Sequence, residues 1–321
     1  MEFISNCTAD TISKAAQSLK DGHLVAFPTE TVYGLGADAT NENAVSRIYS
    51  VKGRPVGHPL IVHISSINKL DQWATDIPEY AIKLGREFWP GPMTLILPRT
   101  DLAKNFITGG QNNVGLRVPA QPVALALLKK FEELGGKGVA APSANKFGAV
   151  STTTAEAVIE ELEYELDLSD LVLDGGKCSI GIESTIIDCT GDKPKILRPG
   201  IITEDILTKV TGETVGIFGN KTIQVPGNLK SHYQPKAEVL INKIPQIGEA
   251  LIALDLVETP VGVIRLSKPS NLEQFAKELY SSFRLADNLK IKTIHVHLPS
   301  GNGIEKALRD RTEKASLRNS G

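Results

Sequence analysis

Two cations two residues apart are the first pattern with chemical meaning: Lys52 and Arg54 in KGRPVGHPLIVHI (52–64), on a loop expected just before a strand. On a stiff Gly/Pro segment such a pair suits a polyphosphate, because Arg offers a bidentate fork and Lys a compact point charge. Taken alone, the pair reads equally as solvated surface. His58 and His63 follow, either against substrate or as ordinary structural histidines. In VGLRVPA, Arg117 interrupts an apolar strand, where an unpaired guanidinium is costly. It needs an anion, which Glu30 or a substrate carboxylate would supply.

Hydroxyls, amides and glycines gather at other strand margins. PTETVYGLGADA (28–39) brings Thr29, Thr31, Tyr33, Gly34 and Gly36 after a strand, so that backbone amides and hydroxyls face a small polar ligand. Its glycines loosely match a dinucleotide fingerprint, but the acid expected about 20 residues further on is missing. APSANKFG (141–148) offers Ser143 and Asn145 on a loop after a strand, and Ser151 is expected to start the next helix. Phosphate or ribose binding and simple capping explain these equally well. GIESTIID and ILRPG add Ser184 and Arg198. GGK (175–177) lacks the remainder of a Walker loop, and neither kinase motifs nor a GxSxG elbow occur, so a nucleotide would be held by scattered cations.

The elements that position these residues alternate. HLVAFPT, PLIVHI, MTLILP, GVAAPS, LVLDG and STIIDCT read as strands; TADTISKAAQSLKDG and TTTAEAVIEELEYEL read as capped helices. After Thr203, GETVGIFGNKTIQVPGNLKSHYQP reads as a long connecting segment. AEVLIN, TPVGVIRL, NLEQFAKELYSSFRLADNL, TIHVHL and IEKALRDRTEKASLR then form a second strand and helix series, predicting a small Rossmann-like α/β domain. The fold class is therefore α/β (α+β), with domains expected at 1–208 and 236–321 and a linker or lid at 209–235.

Composition narrows the function classes. With 321 residues and 41% hydrophobic content the chain can bury two ordinary cores. The three cysteines, Cys7, Cys178 and Cys189, form neither a CxxC pair nor a zinc-ligand cluster. No run of about 18 apolar residues occurs and the N-terminus lacks the pattern of an export signal, so a cytoplasmic protein without membrane contact is expected. A net charge of −2 opposes a generally basic nucleic-acid binder, yet seven of the acids lie between Glu156 and Asp170, leaving the remaining surface mildly cationic.

In order and spacing, PTETVYGLGADA, KGRPVGHPLIVHI, FWPGPMTLIL, VGLRVPA, APSAN, ESTIID and LRPG resemble the YrdC-like family of threonylcarbamoyl-AMP synthases, and PGNLKSHYQP with the C-terminal region resembles its long, two-domain form. The resemblance implies a YrdC-like twisted mixed sheet with flanking helices. It implies an enzyme, a nucleotidyltransferase, joining L-threonine, bicarbonate and ATP into threonylcarbamoyl-AMP and pyrophosphate for tRNA threonylcarbamoyladenosine modification. ATP would be held by Lys52, Arg54, Ser143, Asn145, Ser151, Arg198 and Tyr233, with Lys52 and Arg54 central to catalysis. Threonine would meet Thr31, His63, Arg117, Ala141 and Ser184. His58 and Asn113 depart from residues common at their positions, and they too would face the nucleotide. Mg2+ is expected on the ATP phosphates with no dedicated protein cage, and His232 and Tyr233 would be the working contacts of a water-excluding lid. Downstream tRNA threonylcarbamoyl-transfer proteins are the implied partners, with weak or indirect tRNA contact. The alternatives are a non-catalytic RNA-binding protein using a cationic concave sheet, which the 5% aromatic content disfavours, and carbamoyl-adenylate chemistry on another acceptor, whose expected zinc-finger-like and acylphosphatase-like regions are absent.

Overall fold

Short β-branched and leucine-rich runs, each bounded by glycine, proline or small polar residues, build the larger of two sheets seen in a computed structural model that describes residues 1–217, 223–227 and 231–317. From edge to edge its strands are Glu2–Ile4, Leu171–Leu173, Val25–Phe27, Gly34–Asp38, Val139–Ala140, Ile61–His63, Asn113–Arg117, Met93–Pro98, Thr185–Asp188, Lys195–Arg198 and Gly216–Ile217. The sheet is mixed: Ile61–His63 and Asn113–Arg117 run parallel with His63 beside Arg117, whereas Met93–Pro98 is antiparallel to Asn113–Arg117.

The two-residue period of these central strands separates core from site. Val62, Met93, Leu95, Leu97, Val114, Leu116 and Ile187 belong to the main core. The alternate positions include His63, Thr94, Gly115 and Arg117, together with Ile61, Ile96 and Ile186, which form a separate apolar patch with Leu197 and Val225. Gly115 keeps that face open, since a Cβ there would lie 3.1 Å from Ile96.

The second sheet is the parallel set Glu238–Ile241, Thr293–Val296, Ala250–Ile252 and Ile264–Ser267, packed by helices Leu272–Asn288 and Ile304–Ser316. Parallel strands covered by helices are the expected small Rossmann-like unit. Its core continues into the larger sheet's loops through Val32, Val150 and Ile182.

Three local expectations are corrected. Lys52 is the last residue of helix Glu42–Lys52, not part of a loop, and Gly53 ends the helix with φ 59°. Gly34–Asp38 is a fully buried strand. Helix Ala155–Leu162 is capped by the Thr154 hydroxyl rather than begun by Ser151, which is buried upstream with its Oγ donating to Glu183. The connecting segment starts with helix Glu204–Thr211 and strand Gly216–Ile217, and residues 218–222 and 228–230 of the expected lid lie outside the described residues. The acidic run is structural in part: Glu161 meets Arg284, Glu165 meets Lys146, and Asp167 and Asp170 clamp Arg47.

Candidate active site

On the polar face of the larger sheet lies a cavity of about 580 Å3, its open mouth included, which is of ligand size. It is lined by Thr31, Arg54, His63, Arg117, Ala141, Ser143, Ser184, Arg198, His232 and Tyr233 among others. Ten residues separated by up to about two hundred positions in sequence thus converge. Lys52, Asn145 and Ser151 stand behind this lining. His58 is half-buried beside Phe147, and Asn113 starts the strand that Arg117 ends and does not line the cavity.

The amino-acid end is built on Arg117 and His63. Arg117 Nη2 donates to Glu30 Oε1 at 2.6 Å, both side chains being buried. Glu30 is thus the anion that the buried guanidinium requires, and its other oxygen accepts from the Ala120 amide at 3.0 Å. His63 lies on the next strand with a buried Nδ1 that has no hydrogen-bond partner among the described residues. Burial and the Arg117 charge push its pKa down to about 3, so the ring is neutral at physiological pH. Thr29 and Thr31 share a 2.9 Å hydroxyl contact, and Thr29 Oγ1 donates to Val32 O, which shapes this loop.

The other end is cationic. Lys52, Arg54 and Arg198 are each less than 10% exposed. Lys52 Nζ donates to the carbonyls of Ser143, at 2.6 Å, and Asn145. Burial and then Arg54 hold its pKa well below the ordinary lysine value. Arg54 Nη2 donates to Pro59 O at 3.0 Å, its plane lies over Phe147, its Nε has no partner among the described residues, and burial takes its pKa down to about 10. Arg198 is fixed by the Ser184 carbonyl and hydroxyl and by Pro226 O, while burial lowers its pKa.

Three residues of this region were not singled out from sequence. Glu183 is buried between Ser151, whose Oγ donates to Oε1 at 2.6 Å, and Arg311 and Tyr280, which donate to Oε2 at 2.8 and 2.9 Å. Burial alone would raise its pKa, but Arg311 and Arg198 with these hydrogen bonds bring it down to about 2. An acid beside Ser184 in GIESTIID is the same signal that marked Arg117: a charge at the margin of an apolar strand. Arg311 and Tyr280 sit in helices whose buried stripe reads as ordinary core.

The segment 223–227 and 231–235 crosses the cavity. Val225 packs on the Ile61, Ile96, Ile186 and Leu197 patch, and His232 and Tyr233 reach the rim. Burial and other nearby charges push His232 down to about 3. Among the described residues no three His, Cys, Asp or Glu side chains form a metal cage, and no helix is long and apolar enough to cross a membrane.

A mixed sheet with a polar face, a polycationic cavity and a second parallel sheet define an α/β protein with a site suited to anionic ligands. A family profile described as telomere recombination, for the Sua5, YciO and YrdC group, matches residues 17–200, and one described as the threonylcarbamoyl-AMP synthase C-terminal domain matches residues 201–316. The chain belongs to the YrdC-like family of threonylcarbamoyl-AMP synthases, in its long, two-domain form. It is 39% identical to the threonylcarbamoyl-AMP synthase of Pyrococcus abyssi, over 94% of this chain and 93% of that one, and 37% identical to that of Bacillus subtilis, over 95% and 92%. The crystal structure of P. abyssi Sua5 complexed with L-threonine superposes with a TM-score of 0.89 at 35% identity, covering 98% of each chain.

Proposed function

We propose that this enzyme forms L-threonylcarbamoyl-AMP and pyrophosphate from L-threonine, bicarbonate and ATP, supplying threonylcarbamoyladenosine modification of tRNA in the cytoplasm. One observation carries the reading: Lys52, Arg54, Arg117 and Arg198 are buried at or just behind one cavity, and among the described residues the buried carboxylates beside them are Glu30 and Glu183, the latter also paired with buried Arg311. Burial lowers the pKa of Lys52, Arg54 and Arg198, with Arg54 adding to the effect at Lys52 and Arg311 at Arg198, so an anionic ligand would favour their charged forms. A triphosphate and an amino-acid carboxylate supply the missing negative charge.

In this reading threonine's carboxylate meets Arg117 beside Glu30, with Thr31, His63, Ala141 and Ser184 around its side chain and amine. The neutral amine joins carbon dioxide, formed from bicarbonate with loss of hydroxide, and the proton the nitrogen gives up combines with that hydroxide as water, leaving a carbamate. A carbamate oxygen attacks the α-phosphorus of ATP and the bond to the β-phosphate oxygen breaks, releasing pyrophosphate. No protein nucleophile is needed, and neutral His63 offers no charge to disturb the amine. The protein's work is to hold two anions together and neutralise the phosphates through Lys52, Arg54 and Arg198. Ser143, Asn145, Ser151 and Tyr233 position the nucleotide. His58 and Asn113 lie farther out and serve any extension of the nucleotide beyond the cavity. Mg2+ would accompany ATP as part of the substrate and would supply charge neutralisation, since Glu30 and Glu183 are already engaged by Arg117, Arg311, Ser151 and Tyr280. The strap through His232 and Tyr233 shields the labile carbamate and mixed anhydride from water.

The test is pyrophosphate release with each substrate omitted in turn. Release requires threonine, bicarbonate and ATP together and collapses in Lys52→Ala and Arg54→Ala; release indifferent to threonine overturns the assignment.

A further inference from the structure

Among the described residues the second sheet unit contributes none to the cavity lining, yet one of its side chains is bonded to the cavity's back wall. Arg311 lies in helix Ile304–Ser316 on the stripe of Ala307, Leu308 and Ala315, and it is 0% exposed. An arginine in such a stripe is retained only where every charge and donor is met. Its Nε donates to Glu183 Oε2 at 2.8 Å, its Nη2 to Pro199 O at 3.0 Å, and its Nη1 to Asp310. Asp310 in turn holds Lys314 at 2.7 Å.

The guanidinium also lies under the Tyr233 ring, 5.3 Å from its centroid. The same ring stacks on Tyr280 at 5.6 Å, and Tyr280 OH donates to Glu183 Oε2. Tyr233 needs this support. Its backbone has φ 62°, a region unfavourable for a residue with a bulky side chain, and its buried hydroxyl has no hydrogen-bond partner among the described residues. Gly227 leaves that hydroxyl its space, since a Cβ there would lie 2.5 Å from it. Glu183 passes the same constraint to Ser151 through a 2.6 Å hydrogen bond.

We propose that Arg311, with Tyr280, is a positioning residue through which the second sheet unit sets the nucleotide end of the site: Arg311 fixes Tyr233 from beneath and Glu183 from behind, and Glu183 orients Ser151. This rests on the reading of Tyr233 and Ser151 as nucleotide contacts. Among the described residues, Thr31, His63 and the Arg117–Glu30 pair make no hydrogen bond or ring contact with Arg311, Tyr280 or Tyr233, although Val32 adjoins the second unit's core and Ser184 follows Glu183 in the chain. The clasp therefore acts on ATP ahead of threonine.

Arg311→Met and Tyr280→Phe in the full chain, with MgATP and L-threonine affinities measured separately by calorimetry, decide the matter. Arg311→Met removes the cation from both Tyr233 and Glu183, and it weakens ATP binding by at least about 30-fold while threonine affinity stays within about 2-fold. Tyr280→Phe deletes one hydrogen bond without opening a cavity, and it weakens ATP binding by about 3-fold with the same selectivity. In turnover the KM for ATP rises and that for threonine does not. ATP affinity unchanged in both variants overturns the clasp, as does a parallel loss of both ligands. Should Arg311→Met fail to fold, Tyr280→Phe alone decides by the same criterion. Wild-type protein without affinity for ATP overturns the functional reading and the clasp together; ATP binding that is equal in wild type and variants overturns the clasp alone.

Discussion

Replacing Glu183 by Gln keeps the shape of the side chain and removes its charge from between Arg311, Ser151 and Tyr280. The native carboxyl is held at about 2 against an ordinary 4.5, because Arg311, Arg198 and two hydrogen bonds outweigh the effect of burial. At about 1.4 kcal/mol per pH unit, that difference corresponds to about 3 kcal/mol of native-state stability. A carboxylate with a depressed native pKa contributes its full stability above the unfolded value and loses it as pH falls towards the native value. Wild type therefore holds the advantage at pH 7 and loses it progressively between pH 4.5 and about 2, whereas Glu183→Gln has none to lose. Urea unfolding followed by tryptophan fluorescence at pH 7, 5, 4 and 3 reads the gap directly. It starts near about 3 kcal/mol and narrows at each step below pH 5. A gap below about 1 kcal/mol at pH 7, or one that stays constant down to pH 3, refutes the charge argument for Glu183.

Arg117→Met leaves the buried Glu30 carboxylate without its partner and costs about 3–5 kcal/mol; urea unfolding shows Glu30→Gln added to Arg117→Met recovering part of that loss, and calorimetry shows threonine binding abolished with ATP binding kept. ATP binding takes up protons, because phosphates restore the charge on Lys52, which burial and Arg54 disfavour in the free protein; calorimetry in two buffers of different ionisation enthalpy measures the uptake. ATP affinity accordingly falls as pH rises above neutrality and Lys52 gives up its charge, while Arg54 keeps its own. Gly36→Ala sets a Cβ 2.8 Å from both Phe27 and Val139; the resulting strain costs about 1–3 kcal/mol in thermal or urea unfolding.

Much of this architecture was legible because each central strand is a short apolar run with a polar residue at alternate positions. That is why His63 and Arg117 read as polar positions within apolar strands, which is where the structure has them. Gly34–Asp38 escaped because GLGAD contains two glycines and an acid, and its pairing with Val25–Phe27 and Val139–Ala140 overrides weak local propensity. Lys52 reads as a loop residue because Gly53 and Pro55 dominate the local pattern, although Asn41 caps the helix that Lys52 ends. Ser151 was expected at a helix start because Ser and Thr at 151–154 are all plausible caps; the choice of Thr154 follows from Ser151 being bonded to Glu183, a contact across 32 positions. The Arg311 and Tyr280 contacts were illegible for a related reason. Helical periodicity reports which face is buried and not what lies on the other side of the interface.

The central claim is that one cavity joins three substrates into a mixed anhydride. Carbon-labelled bicarbonate incubated with the protein, MgATP and L-threonine tests it most directly, with the nucleotide products separated and the label followed. The account predicts label in an adenylate that also contains threonine, formed in step with pyrophosphate and absent from Arg54→Ala. Pyrophosphate released with the label remaining in bicarbonate, or a labelled adenylate that forms without threonine, contradicts it.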